Sequence, residues 1–329
     1  MNYLHASTRL PLAIPLRDRP NPVDVFRQLE GLPKRLWLDS STGWPLERAL
    51  PGDELVRGLS RYSYVTADPI AVLNASHADP NPWNELERLA NWLPTEVNEE
   101  LPGFQGGLAG LIGYESARWL NDLELEGSFE HQIEDLPTPA MSFGVYDWVI
   151  CFDHFSGNAW LVCQGVSRDD VIADKLPSLS IRLRQAYRRA EQIQKLLEQP
   201  ADRTSPPISF CAEARGYPTP IELLRSDFTS EAYQRAVAEV VERIHAGDSF
   251  QVNIAQRLSC RFEGPSDELY RRLRDAYPAP FSAFYDGGEF QVLSSSPERF
   301  LSVADRVVQT RPIKGTTART GNATRDGRL

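Results

Sequence analysis

Two strand-like runs face each other across a four-residue turn near the middle of this chain. Met141-Ser-Phe-Gly-Val-Tyr-Asp-Trp-Val-Ile-Cys-Phe-Asp153 and Asn158-Ala-Trp-Leu-Val-Cys163 bracket His154-Phe-Ser-Gly157, a hairpin signal that commits this region to antiparallel pairing. Trp148 and Trp160 read as core-filling side chains of that hairpin. Shorter strands are expected over residues 35–40, 61–66 and 70–73. Toward the end of the chain, strand follows strand. Phe281-Ser-Ala-Phe-Tyr285, the turn Asp286-Gly-Gly288 and Glu289-Phe-Gln-Val-Leu-Ser294 begin a run that continues to Thr310. This is an antiparallel meander and not the βαβ alternation of a doubly wound sheet.

Helices punctuate the strands. Asn81 is a candidate N-cap with Pro82 at the first helical position, and Trp83, Leu86, Leu89 or Ala90, and Leu93 recur at helical spacing. A charged helix runs from Ser178 to about Leu197, with a solvated polar face. Another begins after Thr229, carries Tyr233, Val237, Val240 or Val241, and Ile244 on one stripe, and stops at Gly247. A strict alternation follows in Phe250-Gln-Val-Asn-Ile-Ala-Gln256 and predicts a strand. A short helix is expected from Ser266 to Ala276. The expected fold class is α+β.

At 329 residues the chain suits about two domains. The linker signal is Gln199-Pro-Ala-Asp-Arg-Thr-Ser-Pro-Pro207, with irregular sequence to Asp227. The expected division is therefore residues 1–198, a linker over 199–228, and a second domain over 229–329.

Several function classes are disfavoured. A net charge of −10 and a pI near 5.1 oppose non-specific attraction to nucleic acid or anionic membrane. No apolar run approaches the roughly 20 residues that cross a bilayer. Met1-Asn-Tyr-Leu-His-Ala-Ser-Thr-Arg9 lacks the pattern of a secretory leader, so a cytoplasmic location is expected. Cys151, Cys163, Cys211 and Cys260 form no CxxC pair and read as reduced thiols, and the five histidines show no ligand spacing. The segment Gly103-Phe-Gln-Gly-Gly-Leu-Ala-Gly-Leu-Ile-Gly-Tyr-Glu115 is glycine-rich but lacks the Lys-Ser/Thr of a P-loop. Close packing of strand backbones accounts for it better.

The residues with most chemical promise are Glu298 and Lys314. They sit sixteen residues apart at strand-to-turn junctions, on either side of a short hairpin. If the strand pair closes, a carboxylate and an amine share one site.

Five stretches occur in order: Arg61-Tyr-Ser-Tyr64 with Ala67-Asp-Pro69; the glycine-rich segment ending at Glu115; Ala246-Gly-Asp-Ser-Phe-Gln-Val-Asn-Ile-Ala-Gln-Arg257; Ser296-Pro-Glu-Arg-Phe300; and Thr310-Arg-Pro-Ile-Lys-Gly-Thr316. Together they resemble component I of the chorismate-utilising enzymes, the group holding anthranilate synthase and aminodeoxychorismate synthase. The lysine of Pro-Ile-Lys-Gly is similar to the aminodeoxychorismate synthases, where anthranilate synthases usually have alanine.

The resemblance implies two domains around packed antiparallel sheets. It also implies amination of chorismate to 4-amino-4-deoxychorismate, a step toward 4-aminobenzoate and folate. Lys314 would attack carbon 2 of the ring as the carbon 4 hydroxyl departs, and ammonia would then add at carbon 4 and expel the lysine. Glu298 would protonate the leaving hydroxyl. Such a lysine must lose its proton, so burial or a neighbouring cation such as Arg311 has to lower a pKa that is ordinarily ~10.4. Arg311, Gly315 and Thr316 are the implied substrate contacts.

The resemblance further implies a bound Mg²⁺ and a glutamine amidotransferase subunit that delivers ammonia. It also implies a tryptophan pocket at positions matching Ser40, Leu59, Ser60, Arg61, Tyr62, Pro280, Phe281 and Ser282. Family members continue past the lysine motif into segments with the acidic magnesium ligands, so those ligands are expected beyond Leu329. A fragment, or half of a split enzyme, inactive by itself, is the corresponding expectation. Two alternatives stay open: an anthranilate- or salicylate-forming relative, and a non-catalytic module that binds tryptophan or docks an amidotransferase.

Overall fold

The computed structural model describes residues 9–17, 20–40, 59–76, 78–119, 138–199 and 216–312. The described chain divides into two units: residues 1–205 with 270–329, and residues 206–269.

The first unit is built on a seven-stranded sheet. Its strands are β1 (Leu12–Pro15), β2 (Leu36–Asp39), β3 (Tyr62–Thr66), β7 (Trp148–Asp153), β8 (Asn158–Cys163), β12 (Phe281–Asp286) and β13 (Gln291–Ser296), in the order β1-β8-β7-β3-β2-β12-β13. Every neighbouring pair is antiparallel. A second sheet orders β4 (Ala71–Ala75), β6 (Met141–Tyr146) and β5 (Gly107–Ile112), again antiparallel. With its helices, this is an α+β fold.

The long apolar run of residues 141–153, which the sequence presents as one strand, divides at Asp147 into β6 and β7, which serve different sheets. Asp147 is buried at that junction, and its carbonyl accepts the amide of Gln164 at 2.8 Å. The hairpin at residues 154–157 forms as expected, and β7 and β8 pair along their full length.

Glycine permits the close approach of β5 to β6. A Cβ on Gly110 would stand 2.0 Å from the carbonyl oxygen of Ser142, so no side chain fits. This agrees with reading the glycine-rich segment as strand packing.

The main core gathers aromatic rings from distant stretches. Phe26 lies on α1 (Pro22–Gln28), a helix opened by Asn21, whose side chain accepts from Val23 N at 2.9 Å. It meets Trp37 of β2 and Phe284 of β12, with ring centroids 5.3 and 4.9 Å apart. Tyr270 closes the cluster edge-on against both Trp37 and Phe284. At 150–250 Å² per ring, each contributes at most roughly 4–6 kcal/mol of burial free energy. This cluster ties β12 to the start of the chain.

The described residues of the first unit also form the helices α2 (Trp83–Trp92), the short α3 (Arg168–Ile172) and α4 (Leu179–Leu197). Ala186, Ala190 and Ile193 form the buried stripe of α4 and join the same core as β1 and β8.

The second unit holds a small sheet of β9 (Tyr217–Pro218), β10 (Arg225–Ser226) and β11 (Leu258–Ser259), together with α5 (Ser230–Ala246). Thr229 caps α5 through Oγ1, which accepts from Ala232 N at 3.1 Å, and Gly247 ends it at φ 84°. No residue of α5 is buried.

Two expectations read differently in the structure. The alternating stretch 250–256 does not form a strand, and Phe250 is 92% exposed. A strand exists only through ladder hydrogen bonds, and no described segment pairs with this one. The contacts also group residues 270–312 with the first unit, in place of a division at residue 229, because β12 pairs with β2. The last helix, α6 (Ser266–Ala276), supplies Tyr270 to that core.

Candidate functional site

Glu298 lies two residues past β13. Ser296 holds this turn, its Oγ donating to the Glu298 carbonyl at 3.0 Å and accepting the Glu298 amide at 3.4 Å. The chain then enters a hairpin of β14 (Ser302–Ala304) and β15 (Val307–Gln309), whose turn residues Asp305 and Arg306 have φ values of 50° and 63°. Two consecutive positive φ values suit the right-handed twist of a two-residue hairpin. Arg299 Nη2 donates to Gln309 Oε1, and Thr310 Oγ1 donates to the Phe300 carbonyl at 3.3 Å. The strand running toward the lysine motif therefore returns beside the segment that carries Glu298.

Glu298 is exposed and Arg311 is half-buried. Lys314, Gly315 and Thr316 lie outside the described residues. Phe300 is 86% exposed, and Val303, Val307 and Val308 are also open to solvent, so the described residues do not enclose this end of the chain in a dry pocket.

A second group of expected residues comes together at the neighbouring ends of β3, β2 and β12. The register pairs Leu38 with Tyr64 and Asp39 with Ser282, which sets Ser40 between Tyr62 and Phe281 as the strands run on. Ser40 N donates to Ser63 Oγ at 3.3 Å. Ser282 is buried, with Oγ donating to the Ala279 carbonyl at 3.0 Å. Arg61 turns to β7, forming a two-pronged pair with Asp153 at 3.1 and 2.8 Å and lying over the Tyr62 ring at 4.8 Å. Pro280 and Leu59 are half-buried next to these positions in sequence, and Arg299 reaches over the Phe281 ring at 5.9 Å.

Behind these strand ends lies a polar cluster that sequence reading did not single out. Ser63 Oγ donates to Asp39 Oδ1 at 3.0 Å and stands 2.7 Å from His154 Nε2, while Arg274 Nε donates to Asp39 Oδ2. A carboxylate can only accept, so the Ser63 proton points to Asp39 and the imidazole must present Nε2–H to Ser63. The serine proton is thus directed away from the histidine. This is a structural relay of β2, β3, the β7–β8 turn and α6, and it lacks the order of a hydrolase triad. Ser63 and Asp39 alternate onto a buried face, the one sequence signal that could have marked them.

The charges follow from these contacts. Burial pushes the His154 imidazole below its ordinary value, with Asp39 opposing and Arg274 assisting. For Asp153, burial works upward, but the Arg61 fork and the amides of Phe155 and Ser156 outweigh it and hold the carboxylate low. Burial pushes the Cys151 thiol up to about 12, which leaves it an inert core group. Among the described residues, no group of three or more His, Cys, Asp or Glu side chains is placed to hold a metal ion, so the magnesium that the resemblance implies does not fit them.

The comparisons with known proteins agree on one group. The model of the chorismate binding enzyme family matches residues 36–329. The chain is 31% identical over 280 residues to aminodeoxychorismate synthase component 1 of Bacillus subtilis, covering 81% of this chain and 54% of that protein. It is 32% identical over 276 residues to the Escherichia coli protein of the same name, covering 79% and 52%. Anthranilate synthase component 1 of Pseudomonas aeruginosa is 30% identical over 317 residues, covering 94% and 60%. The chain thus spans about half the length of the curated relatives it matches. Among solved structures, anthranilate synthase component I from Streptococcus pneumoniae superposes with a TM-score of 0.57 at 21% identity, covering 90% of this chain and 59% of that one, a likeness of fold.

Proposed function

The chain belongs to the chorismate binding enzymes, and from that membership we propose that it serves as component I of an aminodeoxychorismate synthase. The observation that carries the reading is the β14–β15 hairpin, which returns the chain toward the lysine motif alongside the Glu298 segment. A lysine within Thr310-Arg-Pro-Ile-Lys-Gly-Thr316 supports this reading over an anthranilate-forming one.

In this reading, the deprotonated Lys314 amine forms a bond to carbon 2 of chorismate. Both ring double bonds shift, from C1=C2 to C1=C6 and from C5=C6 to C4=C5, and the carbon 4 hydroxyl leaves as water with a proton from Glu298. Ammonia then adds at carbon 4, both double bonds shift back, and Lys314 departs as the amine, the proton it needs being balanced by the one the added ammonia gives up. Arg311 would hold a substrate carboxylate, with Gly315 and Thr316 beside it. Ammonia would arrive from a glutamine amidotransferase subunit.

The test supplies chorismate, ammonia and magnesium to these residues carried in a protein of the relatives' full length and separates the products, the chain by itself being expected to form none. The expected product is 4-amino-4-deoxychorismate, and Lys314→Ala is expected to lower its formation by roughly a thousandfold or more. Anthranilate as the product would replace this reading with the anthranilate-type one, which a relative at 30% identity keeps open, whereas a Lys314→Ala variant that still forms 4-amino-4-deoxychorismate would overturn the covalent role of Lys314 alone.

Tryptophan binding at the ends of β2, β3 and β12 belongs to the same proposal, supported by the register that brings Ser40, Tyr62 and Phe281 abreast. Calorimetry with tryptophan tests it. Binding weakened at least tenfold by Ser40→Trp is the expected result, and the absence of any binding heat counts against the pocket.

A further inference from the structure

The ladder from β2 to β3 ends at Leu38 opposite Tyr64, and the ladder from β2 to β12 ends at Asp39 opposite Ser282. Ser40 lies one residue past both. Its amide donates to a side chain instead, Ser63 Oγ at 3.3 Å. Ser63 is fully buried, so water does not compete for that acceptor.

A hydroxyl has one proton to give and two lone pairs to fill. At Ser63 the proton goes to Asp39 Oδ1 at 3.0 Å, and the oxygen receives His154 Nε2–H at 2.7 Å together with the Ser40 amide. Each partner fixes the next. Asp39 draws the proton to itself, which leaves the lone pairs facing His154 and Ser40. The imidazole must then hold its proton on Nε2, because a bare Nε2 would set two acceptors against one another.

Asp39 also reaches the opposite side of the strand ends. Its Oδ2 accepts from Arg274 Nε, in the last turn of α6, and α6 leads directly into Pro280 and Phe281. Ser282 Oγ fastens that connection by donating to the Ala279 carbonyl at 3.0 Å. One carboxylate therefore links Ser40, through Ser63, to the Pro280–Phe281 segment, through Arg274.

We propose that Ser63 and His154 are positioning residues for the tryptophan pocket: His154, as its Nε2–H tautomer, and Asp39 orient the Ser63 hydroxyl, and that hydroxyl holds Ser40 at its distance from Phe281. A binding constellation works only when its members are held within about 0.5 Å of the productive geometry. The inference rests on the tryptophan reading above and adds to it two residues that touch no ligand.

The experiment is calorimetry with tryptophan on the full chain and three variants. His154→Leu removes the donor to Ser63 and should weaken binding roughly fivefold, whereas His154→Gln returns an N–H at similar reach and should bind within about twofold of the parent. Ser63→Ala should weaken binding roughly tenfold and speed hydrogen exchange of the Ser40 amide in the ligand-free chain by at least about tenfold. Nitrogen-15 spectra should show His154 protonated on Nε2 and bare on Nδ1 in the parent, and as a mixture of tautomers in Ser63→Ala. Two failures read apart. A parent that binds no tryptophan removes the pocket, and the positioning role with it. Parent-like binding by both His154→Leu and Ser63→Ala leaves the pocket standing and overturns the role of Ser63 and His154. Equal loss in His154→Leu and His154→Gln overturns it as well, since the N–H donor is then not what matters.

Discussion

Asp147 is 3% exposed where β6 gives way to β7, and burial pushes its carboxyl up to about 6 despite the opposing pull of Arg189. The sign of the resulting pH effect follows from linkage. A carboxyl whose folded pKa lies above its unfolded value of ~3.9 takes up a proton more readily in the folded state. Its favourable contribution is present in full below ~3.9 and is lost as pH rises through about 6. Urea melts of the parent should therefore lose up to roughly 2 kcal/mol between pH 4 and pH 6 relative to Asp147→Asn. A flat difference across that window would show that the carboxylate is not penalised by burial. His154 acts in the opposite sense, because its lowered pKa makes protonation unfavourable in the folded state. Its contribution is lost as pH falls below ~6.5, and an NMR titration should place its midpoint below that value. Neither effect is legible in the sequence. An aspartate inside an apolar run and a histidine in a turn acquire shifted protonation only from what packs around them.

Among the elements, the hairpins are the most legible features and the isolated strand the least. The β7–β8 turn, the Thr229 cap and the Gly247 stop each depend on neighbours within a few residues, so local chemistry suffices to read them. The alternation of residues 250–256 is equally regular, yet it forms no ladder, because a strand depends on a distant partner for its hydrogen bonds. Gly110 shows the converse case, in which a local residue choice is dictated by a neighbouring strand. Gly110→Ala would drive a Cβ to 2.0 Å from the Ser142 carbonyl and should destabilise the chain by about 2–3 kcal/mol, read as a lower melting temperature. A Cβ on Gly31 would meet no atom within 4 Å, and Gly31→Ala should leave the melting temperature within about a degree or two of the parent.

Across the molecule, the two units differ in what holds them. The first has aromatic and aliphatic side chains buried from both ends of its sequence, whereas α5 of the second buries none of its residues. Local opening follows buried apolar contact. Amides of α5 should therefore exchange with deuterium at least a hundredfold faster than those of β3 and β7, measured by native-state hydrogen exchange. Comparable protection in α5 would mean that its apolar stripe is covered in solution.

The antiparallel α+β character, most element boundaries and the family can all be read along the chain, because pattern, turn chemistry and ordered motifs are local properties. The same reading singles out Glu298, Arg311 and the residues that gather at the ends of β2, β3 and β12. Folding alone splits the apolar run of residues 141–153 between two sheets and joins β12 to β2. It also assembles Asp39, Ser63, His154 and Arg274 into one relay. One cause is common to all three. Each depends on burial or pairing between residues far apart in the chain, and a carboxylate, an imidazole or a guanidinium takes its chemistry from the neighbour that folding supplies.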